Sequence, residues 1–229
     1  MRRWITGPIV RRTLPILRIT LPLLLITLPL LAQEKPITPE TFWQALMTGN
    51  KQFVAGKIVY DHLKEERAQF HEHQYPPMTI LSCSDSRVPP ELVFNQSLGT
   101  LFVVRSAGNV ADPFGLASIE YAITQGYTSL IVVLGHSNCG AVKASLASDD
   151  PGSPNLLALA TRIRMSFGGI KWDPKDPEMV KKAVEANTRA AAAALLAESR
   201  VIRDAVLSEK VKIVSAYYDL ETGEVRKLD

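Results

Sequence analysis

The chain has 229 residues, 46% of them hydrophobic and 21% charged, which is the make-up of one globular domain with a sizeable core and excludes a disordered or fibrous chain. Its net charge of +3 is unevenly spread: Arg2, Arg3, Arg11, Arg12 and Arg18 crowd the amino end, and beyond residue 32 there are 21 basic against 23 acidic side chains. A near-neutral body without a basic tract gives no electrostatic reason to expect nucleic acid as a partner, and that class is set aside.

The basic start runs into the apolar stretch Ile19–Ala32, which has the length of a signal-peptide core rather than the ~20 unbroken apolar residues of a bilayer span. Pro15, Pro22 and Pro29 interrupt it further. Residues 1–32 are therefore expected to be a signal peptide. The alternative is an uncleaved amino-terminal anchor, because Leu30 rather than a small residue stands two before Ala32. Either way residues 33–229 form the folded body, exported and expected in the periplasm, with membrane attachment only if the segment stays uncleaved. Arg11-Arg12 is similar to a twin-arginine export signal.

Thr38-Pro39-Glu40 supplies a cap, a first-turn proline and an early acid, and predicts a helix from about Pro39 to Ala55; a second runs from Leu63 to Glu72. The period then changes. Met78–Ser82, Leu101–Arg105, Ser129–Gly135 and Val211–Tyr217 are short, β-branched and mostly apolar, and read as strands. Between the second and third, Pro113–Gln125 has helical spacing. Strands buried on both faces, with helices between them, predict an α/β fold with a mostly parallel central sheet flanked by helices. A helix opening near Asn138, an apolar segment Asn155–Phe167 and one long alanine-rich helix from Pro177 to about Leu207 follow. The tail predicts a turn at Glu221–Gly223 and a last short strand.

Cys83-Ser-Asp85-Ser-Arg87 directly follows one predicted strand, and His136-Ser-Asn-Cys139-Gly140 directly follows another. Ligands bind at the carboxyl ends of strands in such sheets, so the two segments are placed to bring Cys83, His136 and Cys139 together. Two thiolates and an imidazole are a set that zinc accepts, with a fourth position left for water or a carboxylate. In an exported chain, a Cys83–Cys139 disulfide is the rival reading, and a Cys–His nucleophilic dyad a weaker one. The residues alone leave zinc and the disulfide open. His62, His71 and His73 lie in a charged stretch and are expected in solvent, while Trp43 and Trp172 read as packing or interface residues. Gly108 and Asn109 fit either the wall of a cleft or a tight turn.

The ordered segments C-S-D-S-R-V, L-F-V-V-R-x-A-G-N, S-I-E-Y-A, V-V-L-G-H-x-x-C-G-A-V-K and Y-D-L-x-T-G-x-V resemble the β-class carbonic anhydrases, in order from about residue 40 to the carboxyl end. The resemblance implies zinc as cofactor, held by Cys83, His136 and Cys139, and the reversible hydration of carbon dioxide to bicarbonate and a proton by zinc-bound hydroxide. It gives Asp85 the hydrogen bond from the zinc-bound water, or the fourth metal position in a closed form, and gives Arg87 the task of holding Asp85 off the metal. It makes residues 33–229 the catalytic domain. It also implies a homodimer or larger homo-oligomer, with amino-terminal helices extending over a partner subunit.

Ser106 departs from the asparagine common in the R-x-A-G-N segment, and Thr100 from an acid common after Gly99. Relatives with a regulatory bicarbonate site resemble one another in a tryptophan three residues before the first zinc cysteine. Ile80 stands there in this chain, so the water-bound open form is expected. Two other functions compete: a related zinc enzyme hydrolysing carbon disulfide or carbonyl sulfide, and a non-catalytic exported zinc protein. Asp85 and Arg87 argue against the last, since a structural site gains nothing from an acid beside an open position.

Overall fold

The computed structural model describes residues 37–58, 60–147, 152–169 and 173–228; the expected signal segment and Trp172 lie outside the described residues. Helix α1 (Pro39–Val54) starts as its cap predicts: Thr41 N–H donates to Thr38 Oγ1 at 3.3 Å, and Thr38 N–H returns a bond to Thr41 Oγ1 at 2.8 Å. Helix α2 (Leu63–Gln69) is shorter than expected, and a one-turn helix α3 (Pro90–Val93) follows strand β1 (Met78–Cys83). Strand β2 (Leu101–Ser106), helix α4 (Pro113–Thr124) and strand β3 (Leu130–His136) come next. Helices α5 (Gly140–Ala147), α6 (Pro154–Arg164), α7 (Pro177–Glu198) and α8 (Arg200–Leu207) lead to strands β4 (Lys212–Tyr218) and β5 (Val225–Lys227). Among the described residues no helix is long and apolar enough to cross a membrane.

The sheet order is β2-β1-β3-β4-β5, with the first four strands parallel and β5 antiparallel to β4. Every residue of β1 and β3 is buried, as a two-faced parallel sheet requires. Alternate residues sort to opposite layers. Ile80, Val132 and Leu134 pack with Trp43 and Leu46 of α1, so Trp43 is a packing residue. Leu81, Ile131 and Val133 pack with Ile119 of α4, Leu195 of α7 and Ile202 of α8.

The alanine-rich stretch is two helices rather than one. Ser199, 1% exposed, adopts φ −120° and ψ 117° and ends α7 while capping α8: its Oγ accepts from Ile202 N–H at 3.1 Å and donates to Glu120 Oε1 at 2.6 Å. The break turns α8 so that Ile202 and Ala205 reach the layer under α4. The small residues of α7 bring that helix against the sheet: a Cβ on Gly135 would lie 2.0 Å from Thr188 Oγ1.

Asn50, 2% exposed, ties α1 to two distant places. Its Nδ2 donates to Val93 O at 3.0 Å and Gly223 O at 2.8 Å, and its Oδ1 accepts from Val225 N–H at 2.9 Å. Asn50→Ala leaves these buried backbone groups unpaired and is expected to lower stability by about 3 kcal/mol, read as a lower urea midpoint at unchanged slope.

Candidate metal centre

The site forms where two neighbouring parallel strands end. Ser82 of β1 pairs with Leu134 of β3, so Cys83, the last residue of β1, reaches the level at which β3 ends in His136. Past His136 the chain turns through Asn138, whose φ of 52° is left-handed, and α5 begins at Gly140 rather than at Asn138. The turn delivers Cys139 beside Cys83.

Cys83, His136 and Cys139 are 4%, 0% and 2% exposed, and their donor atoms all lie within 4.8 Å of one another. The two sulfurs are free thiols 4.0 Å apart, not a disulfide. A tetrahedral ion with bonds of about 2.3 Å to sulfur sets two sulfurs about 3.8 Å apart, close to this spacing. His136 Nδ1 lies 2.9 Å from Ser137 O, a contact that puts the ring proton on Nδ1 and leaves a lone pair on Nε2. Nε2 is buried and has no hydrogen-bond partner. An orphaned lone pair beside two thiols fits a thiophilic cation such as zinc.

The thiols share one favourable ionisation. Cys83 is shifted down because Cys139 donates to it first, with the Gly108 and Asp85 amides adding to this against its burial. Cys139 is pushed up by its bond to the Cys83 sulfur and then by burial.

Asp85 and Arg87 are brought to the rim together. Asp85 Oδ1 accepts from Arg87 N–H at 3.0 Å and Nε at 2.9 Å, and Oδ2 accepts from Nη2 at 2.7 Å. This clasp holds the Asp85 carboxyl well below the usual carboxylate range. Oδ2 stays 3.8 Å from His136 Nε2, so the carboxylate faces the centre while tied to the guanidinium. A cleft of about 650 Å³, lined by Arg87, Asn138, Lys143, Lys181 and Tyr217 among others, opens beside the pair.

Sequence reasoning missed the clamp formed by Arg105. Its Nε donates to Cys83 O at 3.0 Å and its Nη2 to Asp85 O at 2.6 Å, fixing the backbone that carries both side chains. The arginine in L-F-V-V-R was the available signal, an exposed charge in an apolar strand. Gly108 and Asn109 serve a tight turn with φ of 67° and 45°, and Gly108 N–H also donates to Cys83 Sγ at 3.3 Å. Ser106 Oγ closes that turn on Val110 O at 2.8 Å, and Thr100 Oγ1 donates to Ser97 O. His62, His71 and His73 are exposed.

A parallel α/β sheet whose strand ends gather two thiols and an imidazole, with an ionised acid clasped beside them, defines a candidate metalloenzyme. Residues 78–225 match the family model described as carbonic anhydrase, and the chain belongs to the β-class carbonic anhydrases, enzymes that interconvert carbon dioxide and bicarbonate. It is 36% identical over 187 residues to carbonic anhydrase 2 of Mycobacterium tuberculosis, spanning 81% of this chain and 90% of that protein. A carbonic anhydrase of Mycolicibacterium smegmatis is 49% identical over 115 residues, 50% of this chain and 56% of that one. Among solved structures, a tetrameric β-carbonic anhydrase of Sordaria macrospora superposes with a TM-score of 0.64 at 25% identity, covering 82% of this chain and 97% of that one. The β-carbonic anhydrase CcaA gives 0.65 at 26%, covering 82% and 88%.

The clasp has a pH signature. The folded pKa of Asp85 lies below its unfolded value, so the pair contributes stability at neutral pH, and that contribution is lost as pH falls below about 4. Arg87→Met is expected to return the Asp85 carboxyl toward about 3.9 in an NMR titration and to raise the pH at which acid unfolding begins.

Proposed function

We propose that this chain hydrates carbon dioxide to bicarbonate and a proton with a zinc ion held by Cys83, His136 and Cys139. The observation that carries the reading is the unpartnered, buried Nε2 of His136 among two thiols, next to a carboxylate that Arg87 keeps ionised. Zinc in that position lowers the pKa of a coordinated water so that a nucleophile is available near neutral pH. Asp85, ionised and facing the centre, would accept a hydrogen bond from a water held there and so orient it toward carbon dioxide. Arg87, by clasping the carboxylate, would keep it charged and held off the metal, to which Asp85 would bind only in a closed form. The Arg105 clamp ties together the backbone that carries Cys83 and Asp85.

A homodimer or larger homo-oligomer, with the amino-terminal helices across a partner, is supported by the tetrameric Sordaria macrospora enzymes and by the outer strand β2, less covered than β1 or β3. The basic and apolar residues 1–32 support export to the periplasm, which fractionation of cells tests directly.

Purified protein is expected to bind about one zinc per chain and to hydrate carbon dioxide in a stopped-flow assay, with Cys139→Ser losing both. Asp85→Asn is expected to retain zinc and lose about 10- to 100-fold in kcat. Full activity of that variant removes Asp85 from the mechanism, and faster turnover of carbonyl sulfide or carbon disulfide than of carbon dioxide reassigns the substrate.

A further inference from the structure

Asn187 sits in the middle of α7, 3% exposed, on the face that also carries the buried Ala183, Val184 and Ala191. A carboxamide there loses its water and lowers helix propensity, so an apolar residue is the default for that face. Its Nδ2 donates to Gly108 O at 2.7 Å, across 79 positions of sequence. The N–H of the same glycine donates to Cys83 Sγ at 3.3 Å. The left-handed Gly108 and Asn109 let the two peptide groups that flank the Gly108 Cα turn a carbonyl to α7 and an amide to the sulfur. A Cβ on Gly108 would meet Ile163 Cδ1 at 2.8 Å, so the turn is also enclosed from the other side.

We propose that Asn187 is a positioning residue of the metal centre: by holding the Gly108 carbonyl it fixes the Gly108 amide on Cys83 Sγ, and so sets the place and the electron donation of that sulfur. The proposal rests on the reading of Cys83 as a metal ligand. A hydrogen bond to a thiolate withdraws charge from it, and partners behind a ligand govern both its orientation and its hold on the metal. Arg105 fixes the backbone of Cys83 through its carbonyl. The Gly108 amide acts on the sulfur itself, and Asn187 anchors that amide to a long helix. If Asn187 serves only to satisfy a buried carbonyl, its loss lowers stability and leaves the sulfur as it was.

Asn187→Leu and Asn187→Ala are measured together, so that a folding defect in the bulkier variant does not silence the test. Thr79→Val is the control: it removes a buried bond to Thr128, 2.6 Å long, at the opposite end of β1. Each protein is loaded with Co²⁺ to record the sulfur-to-metal charge-transfer band, and its zinc dissociation constant is measured by chelator competition. Both Asn187 variants are expected to show the band at longer wavelength, since a sulfur without its donor gives up charge more readily, and to bind zinc about 10- to 100-fold more weakly. Thr79→Val is expected to keep wild-type values of both, whatever its thermal midpoint. Asn187 variants that lose thermal stability but keep the wild-type band and zinc affinity overturn the proposal, as does a Thr79→Val that shifts the band equally. Wild-type protein that takes up neither ion overturns the ligand assignment itself, and this proposal with it.

Discussion

The parallel pairing of β1 with β3 is the constraint on which the rest of the molecule depends. Ser82 opposite Leu134 brings Cys83, the end of β1, to within one residue of His136, the end of β3, and a slip of a single residue would turn the side chains of one strand to the other face. Such a slip is blocked because both faces are buried. Ile80, Val132 and Leu134 belong to one layer and Leu81, Ile131 and Val133 to the other, so a shift would misplace every one of them at once. The hydrophobic register thus specifies the position of the site. Cys139 then needs only the left-handed turn at Asn138 to join it.

Burial gives the site its electrostatic character. Two thiols and an imidazole without water favour only one ionised sulfur, and a second negative charge there calls for a cation between the donors. The Asp85 carboxylate adds another negative charge at the rim, offset by the Arg87 guanidinium, whose side chain is 52% exposed. Binding of a divalent ion by such a pocket also stabilises the folded chain, because the unfolded chain offers no such set of donors.

The strands and the candidate site residues were legible because their signals are local. Buried parallel strands are runs of β-branched residues, and the residues read as functional follow them immediately, within five positions of one strand end and four of the other. The division of the alanine-rich stretch at Ser199 was not legible. A serine in a helical sequence looks the same whether or not it bends the chain, and here its partner Glu120 lies 79 residues away. The Arg105 clamp, the Asn50 knot and the Gly108 amide on Cys83 escaped for the same reason: each joins residues between 20 and 175 positions apart.

What the sequence determined by itself was the strands, most of the helices and the placement of the candidate donors at strand ends, since periodicity and short-range spacing encode those. The tertiary structure alone decided which atoms meet: that the sulfurs lie 4.0 Å apart as thiols, that His136 Nε2 is left without a partner, and that Arg87 clasps Asp85 through both carboxylate oxygens. Those outcomes depend on register and packing summed over the whole sheet. Contacts fixed in that way leave no pattern in any one stretch of the chain.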